Sequence, residues 1–406
     1  MCRARSGSGR RGWQRDAREH ELAFSVSYPV LIYGDTERSP ELRHEIPLAI
    51  GDPFLYLEAD GQRAAVLSSL ETDRVAALEL DLELVSPESL GSDEILAAGG
   101  GFRELEEELC LRACGRFGVG RARVPAGFPL ALADRLRVAG VAVECDPALF
   151  EDRRRVKAGT ELEGIRRAQR AAEAGMAAAS ALLRAAEADD GGLVLDGAPL
   201  TCEQVRASVQ AACRAHGAQA SDDLIVRPGI RGGLGHDAGS GPLPAGEPIT
   251  IDLWPRDGAS ACFADMTRTF VIGEPPPEVV GYHAIALESL RRAREAVRPG
   301  VLGRDLHALA CEPFEAARIP TQRTKAPGER LAEGFYGGLG HGVGLEVHEA
   351  PALGRAGRYP LVAGDVVALE PGALHPRFGE VRVEDLVLVT EDGGETLTDY
   401  PHGLVP

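Results

Sequence analysis

Apolar residues recur every three or four positions from residue 162 onward. Leu162, Ile165, Ala168, Ala172, Met176, Ala179, Leu183 and Ala186 fall on one face of a long helix. Thr160-x-x-Glu163 has capping-box spacing and predicts its start. A second box, Thr201-x-x-Gln204, opens a helix that buries Val205, Val209 and Ala212, with Gly217 as its stop. Strands follow at 248–253 and 263–272. The order then repeats: helices over 278–297 and 303–317, then strands near 366–370 and 381–389. Two helices followed by strands, twice over, predict two halves of similar architecture, although no residue-level repeat links them.

Upstream, the pattern mixes strand-like runs at 47–51 and 64–68 with a helical stretch at 102–114. No phosphate loop or nucleotide fingerprint occurs there. The charged run Phe150-Glu-Asp-Arg-Arg-Arg-Val-Lys reads as a connector between domains. The expected division is a disordered tail over 1–20, an N-terminal domain over 21–155 and a second domain over 156–406. Six arginines in the first 20 residues, with no apolar stretch behind them, do not make a secretory signal. No run of 18 apolar residues exists, so no membrane-spanning helix is expected.

Composition narrows the class. The 406 residues carry 44 Lys+Arg against 62 Asp+Glu, a net charge of −18. Phosphate contacts need clustered cations, so this balance argues against a nucleic-acid partner. Lysine occurs only at 157 and 325. The cysteines at 2, 110, 114, 145, 202, 213, 262 and 311 form no C-x-x-C pair, and reduced thiols in the cytoplasm fit them best. Cys110 and Cys114, one helical turn apart, read as core.

The chemistry lies in the second half. Asp252 ends the apolar run Ile249-Thr-Ile-Asp-Leu-Trp, and Asp265 sits in Phe263-Ala-Asp-Met-Thr-Arg-Thr-Phe. On a strand Asp265, Thr267 and Thr269 share a face. Glu370 closes Val366-Val-Ala-Leu-Glu. Glu384 lies in Val381-Arg-Val-Glu-Asp, where it and Arg382 point one way and Val381 and Val383 the other. Burying a charge costs several kcal/mol unless it is compensated, and one divalent cation compensates several carboxylates at once. His341 and His348 stand seven residues apart in Gly340-His-Gly-Val-Gly-Leu-Glu-Val-His-Glu, and His236 follows Gly235. Four carboxylates and an imidazole form a hard ligand set. It suits two divalent ions, Mn2+ first, with Co2+, Fe2+ and Zn2+ as alternatives, that activate water for hydrolysis.

These stretches, with Gly235-His236, Ala264-Asp-Met-Thr-Arg-Thr-Phe270, Leu369-Glu-Pro-Gly372 and Val381-Arg-Val-Glu-Asp385, resemble the pita-bread metallopeptidases of the prolidase and aminopeptidase P type. The resemblance implies an α+β chain: a C-terminal pita-bread (creatinase/aminopeptidase) fold and a smaller N-terminal α/β domain. It implies Asp252, Asp265, His341, Glu370 and Glu384 as metal ligands, with Asp265 and Glu384 bridging. His236 and His348 match the histidines that contact substrate, and Glu370 the carboxylate that takes a proton from water. Arg382 matches an arginine that orients a ligand carboxylate, with Thr267 beside it. Arg355 and Arg358 lie where some prolidases hold the substrate carboxylate. The implied substrate is a peptide with Pro at the second position, and the implied assembly a homodimer. Asp237 after His236, and a 13-residue spacing between Asp252 and Asp265, depart from the usual pattern. Other readings are a hydrolase of a different small-molecule amide, such as a creatinase-like enzyme, and a non-catalytic binding module. Creatinase-like enzymes and binding modules usually lack part of the ligand set, whereas a hydrolase of another amide would keep the metals.

Overall fold

The protein is described from a computed structural model, which covers residues 28–229, 235 and 237–406. The tail over 1–20 and His236 lie outside the described residues. The chain divides into two compact units at Phe150/Glu151, a boundary inside the helix Pro147–Arg155.

In the first unit, β1 (Val30–Gly34), β2 (Phe54–Ala59), β3 (Gln62–Val66), β4 (Glu83–Val85), β5 (Arg121–Val124) and β6 (Ala142–Cys145) build one sheet. Its order is β4-β3-β2-β1-β5-β6, with β1, β2 and β3 antiparallel and the outer strands joined parallel. β1 is buried on both faces. Leu31 packs in a cluster with Cys110, Cys114 and Leu132, and Val30 and Ile32 pack in another with Leu42 and Ile46. The predicted helix runs over Phe102–Arg116. The apolar run at 47–51 is not a strand. Pro47 lacks a donor, and Thr36 takes up the neighbouring polar groups instead: Ile50 N–H donates to Thr36 Oγ1 at 2.8 Å and Thr36 N–H to Ile50 O at 3.1 Å. A loop results in which Ile50 is buried while Ala49 and Gly51 are exposed.

The second unit opens with α1 (Gly159–Ala185) and α2 (Cys202–Ala215), then β7 (Ile225–Pro228), β8 (Ile249–Leu253) and β9 (Met266–Phe270). Next come α3 (Pro277–Ala296), α4 (Gly303–Ala316), β10 (Gly340–Gly342), β11 (Glu349–Leu353), β12 (Val366–Leu369), β13 (Gly372–His375), β14 (Gly379–Arg382), β15 (Asp385–Val389) and β16 (Gly394–Thr396). The expected order of helix pair then strands occurs twice. α1 starts earlier than its sequence box suggests, because the carboxylate that reaches back is Glu161, which accepts the Ala158 N–H at 2.8 Å. The box at Thr201 and Gln204 forms as read.

Three antiparallel strands, β7-β8-β9, and five, β11-β10-β12-β15-β16, form the two main sheets. Strand alternation assigns β12 and β15 to two cores at once. Val366, Ala368, Leu386 and Leu388 face the cluster of Ile165, Met176 and Val209 from α1 and α2. Val367, Leu369, Val387 and Val389 face Leu290, Leu306 and Phe314 from α3 and α4. Strands covered on both faces carry continuous apolar runs, which is how their sequences read. The run at 381–389 is two strands, not one. β14 pairs with β13, β15 pairs with β12, and Val383-Glu384 forms the break.

α3 buries His283, whose Nε2 has no hydrogen-bond partner among the described residues. Burial pulls its pKa down to about 4. The unfolded chain takes up this proton near the ordinary value and the folded chain does not. Folding stability is therefore expected to fall as pH drops from about 6.5 toward 4, by on the order of 2 kcal/mol from this residue, with no loss above that window. Urea denaturation at both ends of the window should show a flatter profile for His283→Leu. An unchanged slope would contradict it.

Candidate metal centre

The register of β8 and β9 sets Asp252 opposite Thr267. Strand alternation places Thr267, Thr269 and Asp265, one residue ahead of β9, on the same face. The two threonines then fasten the break after β14. Thr267 Oγ1 donates to Glu384 Oε2 at 2.6 Å, and Glu384 N–H donates to Thr267 O at 3.1 Å. Thr269 Oγ1 donates to Arg382 O and accepts the Arg382 N–H, both at 3.0 Å. A ligand candidate and its neighbouring arginine are thus held by a strand 113 to 117 residues away in sequence.

His341 sits at the centre of β10. Its flanking glycines are required by close approach: a Cβ on Gly340 would stand 1.9 Å from Ala368 O, and one on Gly342 would stand 2.1 Å from Ala350 O. The main chain therefore presses against both neighbouring strands and presents the imidazole to the carboxylates. His341 Nε2 is 3.7 Å from Asp265 Oδ2 and 3.7 Å from Glu370 Oε1. Asp265, His341 and Glu384 each offer a ligand atom within 4.8 Å of the others. Arg382 spans the remaining pair, donating from Nη2 to Asp252 Oδ2 at 2.6 Å and from Nη1 to Glu370 Oε2 at 2.8 Å.

The charges do not balance within this cluster. Burial, and then the negative charges of Glu384, Asp252 and Glu370, push the Asp265 carboxyl well above the usual carboxylate range. Burial and the charges of Glu370 and Asp252 do the same to Glu384. Burial alone would lower Arg382, but Asp252, Glu380, Glu370 and Glu384 outweigh it and hold the guanidinium charged. One guanidinium amid these carboxylates leaves a surplus of negative charge. Oxygen and imidazole donors converge on the same point, so the residues fit a divalent cation of the hard or borderline kind.

A cavity of about 440 Å3 opens over the cluster and is lined by all five expected ligands, Arg382 and His348. The His348 ring meets His341 edge-on, with centroids 4.2 Å apart. Arg355 and Arg358 are exposed and do not line this cavity. Glu380, Tyr336, Trp254 and Asp223 line it too, and sequence reading passed over them. Glu380 had a signal: it lies two residues before Arg382 on the same strand, hence on the same face.

Glu380 is buried in contact with Arg227, also buried, and accepts the Tyr336 hydroxyl at 3.3 Å. Removing one partner of such a pair strands the other charge. Arg227→Leu is expected to cost about 3–5 kcal/mol of stability in chemical denaturation. A loss below about 1 kcal/mol would mean that the pair is hydrated, as surface pairs are.

A model of metallopeptidase family M24 matches residues 163–391, more than half of the chain. The chain is 34% identical over 199 residues to an Xaa-Pro dipeptidase of Pyrococcus furiosus, covering 48% of this chain and 53% of that protein. It is 33% identical over 202 residues to a probable dipeptidase, PepE, of Mycobacterium tuberculosis, covering 50% of each. It thus spans about half the length of the curated relatives it matches. Among solved structures, a prolidase from Pyrococcus horikoshii superposes with a TM-score of 0.72 at 23% identity, over 96% of this chain and 99% of that one. An Xaa-Pro dipeptidase from Bacillus anthracis does so at 0.74 and 21%, over 97% and 99%. The shared fold covers nearly the whole chain.

Proposed function

The chain belongs to metallopeptidase family M24 and has the expected α+β pita-bread fold with an N-terminal domain, and from this premise we propose that it hydrolyses Xaa-Pro peptide bonds. The observation that supports this reading most is the meeting of Asp252, Asp265, His341, Glu370 and Glu384 at one cavity, with more carboxylate charge than Arg382 offsets. These five residues would hold two divalent ions, Mn2+ by preference. Divalent ions in such a site polarise a carbonyl and acidify water.

The chain's own groups do the rest. Arg382 occupies one oxygen of Asp252 and one of Glu370, which fixes both carboxylate planes and leaves each a second oxygen for a ligand. The Thr267 hydroxyl orients Glu384 in the same way. Glu370, whose Oε1 is the oxygen nearer His341, takes the proton from the attacking water. His348, on the cavity wall, donates to the developing oxyanion, and His236, outside the described residues, is assigned to substrate contact by the family resemblance alone. The substrate is a peptide with Pro second. The same reading places the protein in a reducing cytoplasm as a homodimer. The full ligand set counts against a creatinase-like or non-catalytic role.

The test is a panel of Xaa-Pro dipeptides and longer Xaa-Pro peptides with Mn2+. Dipeptides alone would mark a prolidase, and longer peptides an aminopeptidase P. Hydrolysis of neither would overturn the reading.

A further inference from the structure

The charged run after residue 150 reads as a connector between domains, yet the side chains of Arg154, Arg155 and Lys157 are buried in the second unit. Arg155 donates to both oxygens of Asp365, at 2.9 and 2.6 Å. Arg154 Nη2 donates to Glu346 Oε2 at 2.7 Å, and its Nη1 is 3.5 Å from Glu349 Oε2. Lys157 is one of only two lysines in the chain. Its ammonium contacts Glu349 Oε1 and donates to Arg154 O at 2.8 Å, and both side chains are 3% exposed. Gly344 lies against this pair: a Cβ there would stand 2.8 Å from the ammonium and 2.5 Å from the nearer carboxylate oxygen.

Glu349 is the residue after His348 and the first of β11, where it registers opposite Gly342, next to His341. His348 ends the bend that leads into β11, so the tie from the Glu349 side chain to Lys157 and Arg154 anchors the backbone directly beside His348, which lines the cavity. The segment from 343 to 348 is tied at its other end by Phe263 N–H donating to Gly344 O at 2.7 Å.

We propose that Lys157 and Arg154, acting through Glu349, are positioning residues that hold His348 at the reaction site. This rests on the functional reading above for the role of His348. Neither cation touches the ligand cluster, so their loss should leave the affinity for Mn2+ as it is.

The experiment is a double-mutant cycle on the full chain with an Xaa-Pro substrate and Mn2+. Lys157→Met is expected to lower kcat by about 10- to 100-fold, the penalty of a displaced catalytic group, with KM within about twofold. In the His348→Ala background the same change should have almost no further effect, because the residue it positions is gone. Equal losses in both backgrounds, or an unchanged kcat, would overturn the proposal. Glu349→Gln keeps the shape and removes the charge, and the same pattern is expected should Lys157→Met not fold. If the wild-type chain turns over no such substrate, the functional reading fails by itself. Amide exchange across 343–349 then decides the positioning: faster exchange in Lys157→Met supports it, and wild-type protection refutes it.

Discussion

His348→Ala is expected to bind divalent ions as the wild type does and to lose about 100- to 1,000-fold in turnover of an Xaa-Pro substrate. That range is the cost of deleting one donor aimed at a developing oxyanion. The geometry separates the two histidines. His341 Nε2 faces the carboxylates, 3.7 Å from Asp265 Oδ2 and 3.7 Å from Glu370 Oε1, and joins Asp265 and Glu384 in one group of ligand atoms. His348 instead meets the edge of the His341 ring from the cavity side. On the proposed ligand assignment, removing it deletes no ligand. Calorimetric titration with Mn2+ alongside steady-state kinetics gives both readouts on one sample. A variant that loses cation binding would make His348 a ligand, and a variant with full turnover would remove it from the chemistry.

Glu384→Gln should do the reverse, with opposite effects on the two forms of the protein. Glu384 is almost fully buried and its only side-chain donor among the described residues is the Thr267 hydroxyl. Burial and neighbouring carboxylates disfavour its charge. An amide of the same shape relieves that repulsion, so the metal-free variant should be more stable than the wild type by about 1–2 kcal/mol. The same amide is a far poorer ligand. Mn2+ affinity should fall by more than about 100-fold, beyond the range seen when only an outer partner of a ligand is changed. Added Mn2+ should therefore raise the melting temperature of the wild type and hardly move the variant. Thermal denaturation in chelator and in excess Mn2+ shows both effects. A metal-free variant less stable than the wild type would mean that the Glu384 charge is already compensated within the protein.

Much of this site was legible along the chain because its elements are locally coded. Asp252 ends an apolar strand, Glu370 closes another, and Gly340 and Gly342 bracket His341 where backbone contact excludes a Cβ. The α1 face read from its spacing is the buried face, from Ile165 through Leu183. What was not legible depends on distant partners. The break at Val383-Glu384 exists because Thr267 and Thr269 capture the polar groups there, and no local signal marks it. The charged run at 150–157 looks like surface because its acceptors, Asp365, Glu346 and Glu349, lie about 200 residues on. The strand expected at 47–51 fails because Thr36 supplies its hydrogen bonds. Arg355 and Arg358 are exposed side chains outside the cavity lining, a fact that spacing alone does not carry.

The most direct measurement is proline release from an Xaa-Pro dipeptide by one protein sample, assayed metal-replete, after chelation and after Mn2+ is restored. Release that vanishes with the chelator and returns with Mn2+ is the expected result. No release from protein carrying two divalent ions per chain, or release that the chelator leaves untouched, would contradict a metal-dependent Xaa-Pro peptidase.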